Sequence, residues 1–241
     1  KQAVLVDEML GALETAKRGD AVLLHASCHN PTGAAISADT WSAIAQIVAR
    51  NGLIPLFDNA YQGLGRGFVH DAEGMLTVLD AAGEAIVAVS CSKSFSLYRE
   101  RTGAAYVLGN SAADANRGVA NFAYHARASY SMPPAHGAAV VAAVLGDAGR
   151  RKLWIDELAS MRSRVAEIRC ELAKRLAAYA PLLSAVADQE GMFSLLPLTA
   201  ENVASLREAS GIYMPDSGRI NLAGLRIEQV ELVAQAIGPM L

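Results

Sequence analysis

Short apolar runs alternate with helix-like patterns in the first half of the chain, and this alternation restricts the fold more than any other feature. A helical pattern over 37–50 separates the first two runs, and Ser37 and Gly52 are expected to cap that helix. Such alternation favours an α/β architecture with a mainly parallel sheet and flanking helices. The β-rich runs cover residues 21–26, 54–57 and 85–89.

From residue 151 onward the pattern predicts a long amphipathic helix that ends before Pro181. Apolar residues recur every three or four positions and are expected to face the core: Trp154, Leu158, Met161, Val165, Ile168, Leu172 and Leu176. Strand-like pieces at 192–196, 212–214 and 220–223 then accompany helices at 200–209 and 227–237. We therefore predict that 1–150 form a large domain and 151–241 a joining helix with a small α+β C-terminal domain.

Composition narrows the class of protein. With 52% hydrophobic and 19% charged residues, the chain has material for a sizeable core, which excludes a disordered protein. A net charge of -3 and scattered basic residues argue against nucleic-acid binding. The longest apolar stretch, 137–146, is too short to cross a membrane. Three cysteines without CxxC spacing, in apolar contexts, suggest buried thiols, so we expect a soluble, cytoplasmic protein.

Polar and ionisable residues follow each of the three predicted strands. Asn30 lies in His-Asn-Pro-Thr-Gly, Asp58 and Tyr61 lie in Asp-Asn-Ala-Tyr-Gln-Gly, and Lys93 follows the third strand. In open α/β sheets, ligands bind at the carboxyl ends of the strands. An amide, an acid and a partly desolvated amine at one sheet edge suit an anionic pyridine that carries an aldehyde.

Each of these segments also has a simpler interpretation when it is taken alone. Asn-Pro-x-Gly is usually a turn, Asp58 after a strand is more often a helix N-cap, and most lysines after strands are merely solvated. Only the three segments together favour a ligand site.

Four motifs in order resemble the class I aspartate and aromatic aminotransferases of fold type I. They read HNPTG, DNAYQG, SxSKxFxLYxER and SGRxNxAG, and they cover nearly the whole chain. The resemblance implies a transferase fold that binds pyridoxal 5'-phosphate and a homodimer with shared active sites. Nothing upstream of Asn30 supplies the family's Gly/Ser-rich phosphate loop or its ring-stacking aromatic residue. We therefore expect the chain to be the C-terminal part of such a protein.

The resemblance also implies roles for single residues. Lys93 matches the lysine that binds the cofactor covalently and moves the substrate proton, and Asp58 matches the partner of the protonated ring nitrogen. Tyr61 and Asn30 match the groups that bind the cofactor's ring oxygen. The phosphate ligands of the family are matched by Ser90 and Arg101.

Two further arginines match substrate ligands. Arg219, together with Asn30, matches the group that binds the substrate α-carboxylate. Arg127 matches the arginine that meets a dicarboxylate side chain across the dimer interface, although it is also readable as a solvated helix charge. Met132, before Pro133, departs from the small polar residue usual in relatives.

The implied reaction is transamination between an amino acid (aspartate, glutamate or aromatic) and a 2-oxo acid. The arginine pair Arg127 and Arg219 argues against a β-elimination, because it favours a dicarboxylate. Two alternatives stay open: a ligand-sensing aminotransferase-like domain of a transcription regulator, and an inactive fragment of the enzyme.

Neither the histidines nor the glycines add a second site to this prediction. His25, His29, His125 and His136 lack metal-ligand spacing, so we predict structural roles and no metal. Gly63, Gly65 and Gly67 are expected to form flexible turns, because no helical pattern starts directly after them.

Overall fold

The computed structural model describes residues 3–241 and contains a four-stranded sheet in the first half of the chain. The first three strands are parallel and the fourth is antiparallel, in the order β1-β2-β3-β4. The strands are β1 (Ala21–His25), β2 (Ile54–Asn59), β3 (Ala85–Ser90) and β4 (Gly103–Leu108). The predicted α/β class with a mainly parallel sheet is therefore confirmed.

Helices pack on this sheet and continue into the second half of the chain. The Ser37 hydroxyl accepts a hydrogen bond from the Thr40 amide, and Gly52 is left-handed at φ 64°, so both predicted caps of α2 are confirmed. The helices are α1 (Val6–Glu14), α2 (Ala38–Asn51), α3 (His70–Ala81), α4 (Ala112–Tyr130), α5 (His136–Leu145), α6 (Ala148–Leu176), α7 (Ala200–Ser210) and α8 (Val230–Ile237).

The two faces of the sheet have different surroundings because side chains alternate along each strand. Leu24, Phe57 and Val87 belong to a buried core together with residues of α1, α2 and α3. On the other face, Asp58 and Ser90 are among the residues that line a cavity of about 240 Å³. The register brings the strand ends together, since His25 lies opposite Asp58 and Ser90 opposite Gly103.

The long helix α6 joins the two halves of the molecule. Leu158 packs with Cys28, Tyr61 and Leu64 of the first half. The later turns of α6 contribute Ile168, among others, to a separate core with α7, α8 and a two-stranded antiparallel sheet. That sheet consists of β5 (Phe193–Leu195) and β6 (Arg219–Asn221), and 3-10 turns cover Pro181–Asp188, Leu222–Gly224, Ile227–Gln229 and Gly238–Met240. The predicted helical stripe and the small α+β unit are confirmed.

Two local predictions are wrong. Residues 212–214 form no strand, because Gly211 ends α7 in a left-handed conformation and the following segment runs over the surface, with Tyr213 78% exposed. Cys170 is exposed rather than buried, because it lies on the solvent side of α6, next to the buried Arg169. The division between 1–150 and 151–241 stays a prediction, and residues 1 and 2 of the first range lie outside the described part.

No helix within residues 3–241 is long and apolar enough to cross a membrane.

Candidate active site

Lys93 follows β3 and reaches the aromatic ring of Tyr61, which follows β2. The Lys93 Nζ lies 4.5 Å from the centre of that ring, within the range of a cation–π contact. The two residues meet because parallel strands end at the same edge of the sheet. The structure thus brings together two of the residues that the sequence placed at separate strand ends.

Tyr61 is buried, and its phenol is held in the neutral form. Burial raises the pKa of the Tyr61 phenol, and the negative charge of Asp58 raises it further. A side-chain hydrogen bond from Asn30 and the positive charge of Arg219 act in the opposite direction without cancelling the effect. At neutral pH, Tyr61 therefore keeps a proton that it can donate.

Arg219 comes from β6, in the C-terminal half, and lies against the same group of residues. Its Nη1 donates a hydrogen bond of 3.0 Å to the Asn30 Oδ1. Its guanidinium lies 4.7 Å from the centre of the Phe193 ring, and Phe193 in turn meets Tyr61 edge-on at 6.2 Å. A cationic group with further donors for an anion is thus fixed beside Asn30 and Phe193, and its charge acts on Tyr61.

Phe193 was missed as a site residue by the sequence analysis. The signal available was its place in the strand predicted at 192–196, but a strand pattern does not show which ligand group a side chain meets. The contact between Phe193 and Arg219 depends on the pairing of β5 with β6, which places the two residues on neighbouring strands.

Ser90 and Arg101 lie at the two sides of the loop that carries Lys93. The Ser90 hydroxyl accepts a hydrogen bond from the Ser92 amide and donates one of 3.1 Å to the Ser92 hydroxyl, which orders the start of the loop. Arg101 is exposed, donates to the carbonyl of Tyr98 and has a φ of 52°. Because Ser90 pairs with Gly103, both residues lie at the same end of the sheet. Their roles as phosphate ligands stay a prediction.

Trp154 on α6 holds the loop directly after Lys93. Its indole Nε1 donates a hydrogen bond of 2.7 Å to the Ser94 carbonyl, and its ring stacks on Phe95 at 4.4 Å. The helical stripe predicted a core position for Trp154, which is correct in part, but it gave no sign of this contact.

Comparisons with known proteins show the family of the chain. Residues 1–237 match the aminotransferase class I and II family. The chain belongs to that family. It is 54% identical over 233 residues to the tyrosine aminotransferase of Rhizobium meliloti (strain 1021), covering 97% of this chain and 60% of the relative. It is 40% identical to the aspartate aminotransferase of Escherichia coli (strain K12), covering 96% of this chain and 59% of the relative.

A solved aminotransferase has the same fold. The aromatic-amino-acid aminotransferase from Burkholderia pseudomallei, described as covalently bound to pyridoxal phosphate, superimposes with a TM-score of 0.93 at 40% identity. The match covers 100% of this chain and 61% of that one. The chain thus spans about 60% of the length of the aminotransferases it matches. Its expected place within them, in the C-terminal part, stays a prediction.

Arg127 is the one proposed substrate arginine of this aminotransferase chain that lies apart from the other site residues. It is exposed in the last turn of α4, a helix in which no residue is buried. A single chain therefore does not bring Arg127 to Arg219 or Lys93, and its role as a substrate ligand stays a prediction.

The loop with three glycines is occupied by a side chain of the protein itself. The Asp71 carboxylate accepts hydrogen bonds from the backbone amides of Gly63, Gly65, Arg66 and Gly67. Contrary to the sequence analysis, α3 begins only three residues after Gly67, and its Asp71 makes the loop a fixed turn rather than a flexible one. Asp58 lies within strand β2 and does not precede the first turn of a helix. The alternative in which Asp58 is a helix N-cap is therefore wrong.

The histidines beside the HNPTG loop order the backbone around Asn30. The Asn30 amide donates to the His25 Nδ1, and the His29 Nδ1 lies 2.8 Å from the Thr32 hydroxyl oxygen. Burial, aided by the nearby His25, lowers the pKa of His29, so its ring is neutral at pH 7. Among residues 3–241 there is no group of three or more His, Cys, Asp or Glu side chains that could hold a metal ion.

Proposed function

We propose that the protein containing this chain catalyses a transamination that depends on pyridoxal 5'-phosphate. The observation that carries the proposal is the meeting of Lys93, Tyr61, Asn30 and Arg219, which four separate strands and their loops bring to one place. Relatives of the chain named as tyrosine, aromatic-amino-acid and aspartate aminotransferases support it.

The residues present fit this cofactor. Lys93 supplies an amine for its aldehyde, and Tyr61, with its retained proton, supplies a donor for its ring oxygen. Asp58 and Ser90 border the same cavity on the open face of the sheet, so an acid and a hydroxyl are available for the ring nitrogen and the phosphate. Arg101, at the same end of the sheet, is the proposed second phosphate ligand.

Bound pyridoxal phosphate would supply an electron sink for the pair of electrons that the substrate α-carbon gives up with its proton. The chain's own residues would do the rest. Lys93, whose amine would hold the cofactor, would also accept and return the proton of the substrate α-carbon. Asp58 keeps the ring nitrogen protonated by its opposite charge.

Substrate binding would be divided between two arginines. Arg219 would bind the α-carboxylate that every amino acid and 2-oxo acid carries, because its guanidinium is bound to Asn30 and its charge acts on Tyr61, which Lys93 contacts. Arg127 binds the second carboxylate of aspartate or glutamate from a neighbouring copy of the chain. The amino group passes from the donor, which leaves as a 2-oxo acid, to a second 2-oxo acid, which leaves as an amino acid.

A homodimer is part of this proposal. Large apolar side chains on and after α4 are exposed in the single chain, which favours coverage by another subunit. They are Val119 at 53%, Phe122 at 41%, Tyr124 at 72%, Tyr130 at 61% and Met132 at 74% exposure. We further propose the cytoplasm as the location, on the basis of the unpaired cysteines. No observation in residues 3–241 favours a regulatory domain, and the alternative of an inactive fragment stays a prediction because the chain spans about 60% of the aminotransferases it matches.

Borohydride reduction of the natural-length protein tests the proposal. Reduction should fix the cofactor to an amine of the protein, and peptide mapping should then find the added mass on the peptide that contains Lys93. The Lys93→Arg variant is the control, because it keeps the charge but should take up no label. Labelling of any other lysine, or no labelling at all, would exclude Lys93 from the assigned role.

A further inference from the structure

Arg169 on α6 is a buried cation that the proposed mechanism does not use. Only 2% of the residue is exposed. Burial lowers its pKa to about 10, so the guanidinium remains charged at neutral pH. A buried charge is costly unless it is well hydrogen-bonded, so its partners indicate what it does in the fold.

All four hydrogen-bond acceptors of Arg169 lie in one short segment, residues 189–194, which we call the strap. Its Nη1 donates to the Ser194 hydroxyl at 2.6 Å and to the Gln189 Oε1 at 3.4 Å. Its Nη2 donates to the carbonyls of Gly191 at 2.6 Å and Phe193 at 3.1 Å. These four acceptors are neutral oxygens, so the fork of the guanidinium fixes the course of the strap.

The strap in turn touches the candidate active site at two points. The Glu190 amide donates a hydrogen bond of 2.7 Å to the Gly33 carbonyl, in the loop that carries Asn30. A Cβ atom at Gly33 would lie 2.5 Å from the Phe193 carbonyl oxygen, so loop and strap are in close contact. The Phe193 ring then lies between Tyr61 and the guanidinium of Arg219.

We propose that Arg169 is a positioning residue for substrate binding. It fixes the strap, the strap places the Phe193 ring, and the ring holds the Arg219 guanidinium in the orientation that receives a carboxylate. The inference rests on the proposed function for the identity of that carboxylate. It assigns Arg169 no contact with substrate or cofactor.

The Arg169→Lys variant of the natural-length protein tests this role. Lysine keeps the charge but offers a point ammonium in place of a planar fork, so it cannot satisfy four spread acceptors. The probe is 3-indolepropionic acid, which is named as the ligand of one solved aromatic amino acid aminotransferase. We expect its Kd, measured by calorimetry, and the KM for tyrosine to rise about tenfold, while kcat falls by less. The absorption spectrum of the bound cofactor without substrate should not change.

Two further variants separate positioning from general destabilisation. Arg175 lies on the same helix as Arg169, and Arg175→Gln removes its ion pairs with Glu171 of α6 and Glu231 of α8, so it should lower Tm without changing the Kd. Phe193→Leu should raise the Kd about as much as Arg169→Lys does, and the double variant should show little further increase. The Phe193→Leu variant also keeps the proposal testable if Arg169→Lys does not fold.

Three results would overturn the inference. The first is an unchanged Kd in folded Arg169→Lys, and the second is a double variant whose rise in Kd is the product of the rises in Arg169→Lys and Phe193→Leu. The third is that the unaltered protein does not bind the acid. Failure of the proposed function would give a different experimental result. In that case the unaltered protein would bind the acid but would not transaminate, and the Kd measurements would still report on Arg169.

Discussion

The chain carries its two proposed substrate arginines in opposite surroundings. Arg219 is half-buried, donates to Asn30 and lies on the ring of Phe193. Arg127 is exposed on a helix with no buried residue. The contacts of Arg219 are formed within one chain. In contrast, no residue of α4 is buried by the rest of residues 3–241. Under the proposed function, binding of the α-carboxylate would need one chain, whereas binding of a side-chain carboxylate would need a second copy.

The largest expected effect comes from Arg219. Removing a desolvated, hydrogen-bonded charge typically costs about 2 to 5 kcal/mol. We therefore expect Arg219→Ala to lower kcat/KM by roughly 30-fold to several thousandfold, for aspartate and for tyrosine alike, in steady-state assays. Arg219→Lys should recover part of the loss. A loss for only one of the two substrates would contradict the assignment to the α-carboxylate.

Asp58 tests the cofactor side of the same region. Asp58→Ala should leave the cofactor bound but lower kcat by on the order of 100-fold, because the ring nitrogen loses the charge that stabilises its proton. Absorbance measures occupancy and single-turnover kinetics measure the loss of the α-proton. The matched variant Asp58→Glu should retain more activity than Asp58→Ala. Full turnover at full occupancy in Asp58→Ala would exclude the role.

Arg127 should show the opposite substrate pattern to Arg219. Arg127→Ala should lower kcat/KM for aspartate or glutamate by roughly 30-fold, since a desolvated pair is at stake, and change the value for tyrosine far less. The control is Arg117→Ala, on the exposed face of the same helix. Equal losses for acidic and aromatic substrates would make Arg127 a structural residue, and no loss for aspartate would make it a solvated charge.

The smallest effect concerns Glu190 in the strap. Burial raises its pKa, and the ion pair with Arg66 at 2.9 Å only partly opposes this. A folded-state pKa above the unfolded one means that stability is full below the unfolded pKa and is lost as pH rises through the folded pKa. Glu190→Gln should therefore raise Tm at pH 7 and give no difference below about pH 4. A lower Tm for the variant at pH 7 would show that the ion pair outweighs burial.

Strands β1 to β3, α2 with its caps and the stripe of α6 could be predicted because local patterns determine them, whereas the antiparallel strand β4 was not predicted. Alternation, a capping serine and a left-handed glycine act over a few residues. The prediction of a strand at 212–214 failed because an apolar triplet does not show whether a partner strand exists. Similarly, the carboxylate that occupies the glycine loop comes from Asp71, inside a helix that the sequence analysis did not predict.

The residues proposed for the site stand in sequence motifs, but the residues that hold them in place do not. Asn30, Tyr61 and Lys93 stand in recognisable segments, and the structure brings them together. Arg169, Phe193 and Trp154 act through contacts between elements distant in the chain, such as the bond between Trp154 and Ser94 across 60 residues. No local pattern encodes such a contact: in the sequence Phe193 and Trp154 resemble ordinary core positions, and Arg169 resembles an exposed helix charge.

Mixing two defective variants tests most directly whether one chain builds the Lys93 site and a second copy supplies Arg127. When each variant is tested by itself, Lys93→Ala and Arg127→Ala should both turn over aspartate slowly. After subunit exchange, half of the dimers should be hybrids in which one site carries both substitutions and the other neither. The mixture should then recover about a quarter of the unaltered activity towards aspartate. Activity no greater than the sum of the two separate variants, with exchange demonstrated by mass spectrometry, would contradict the division of the site between two copies.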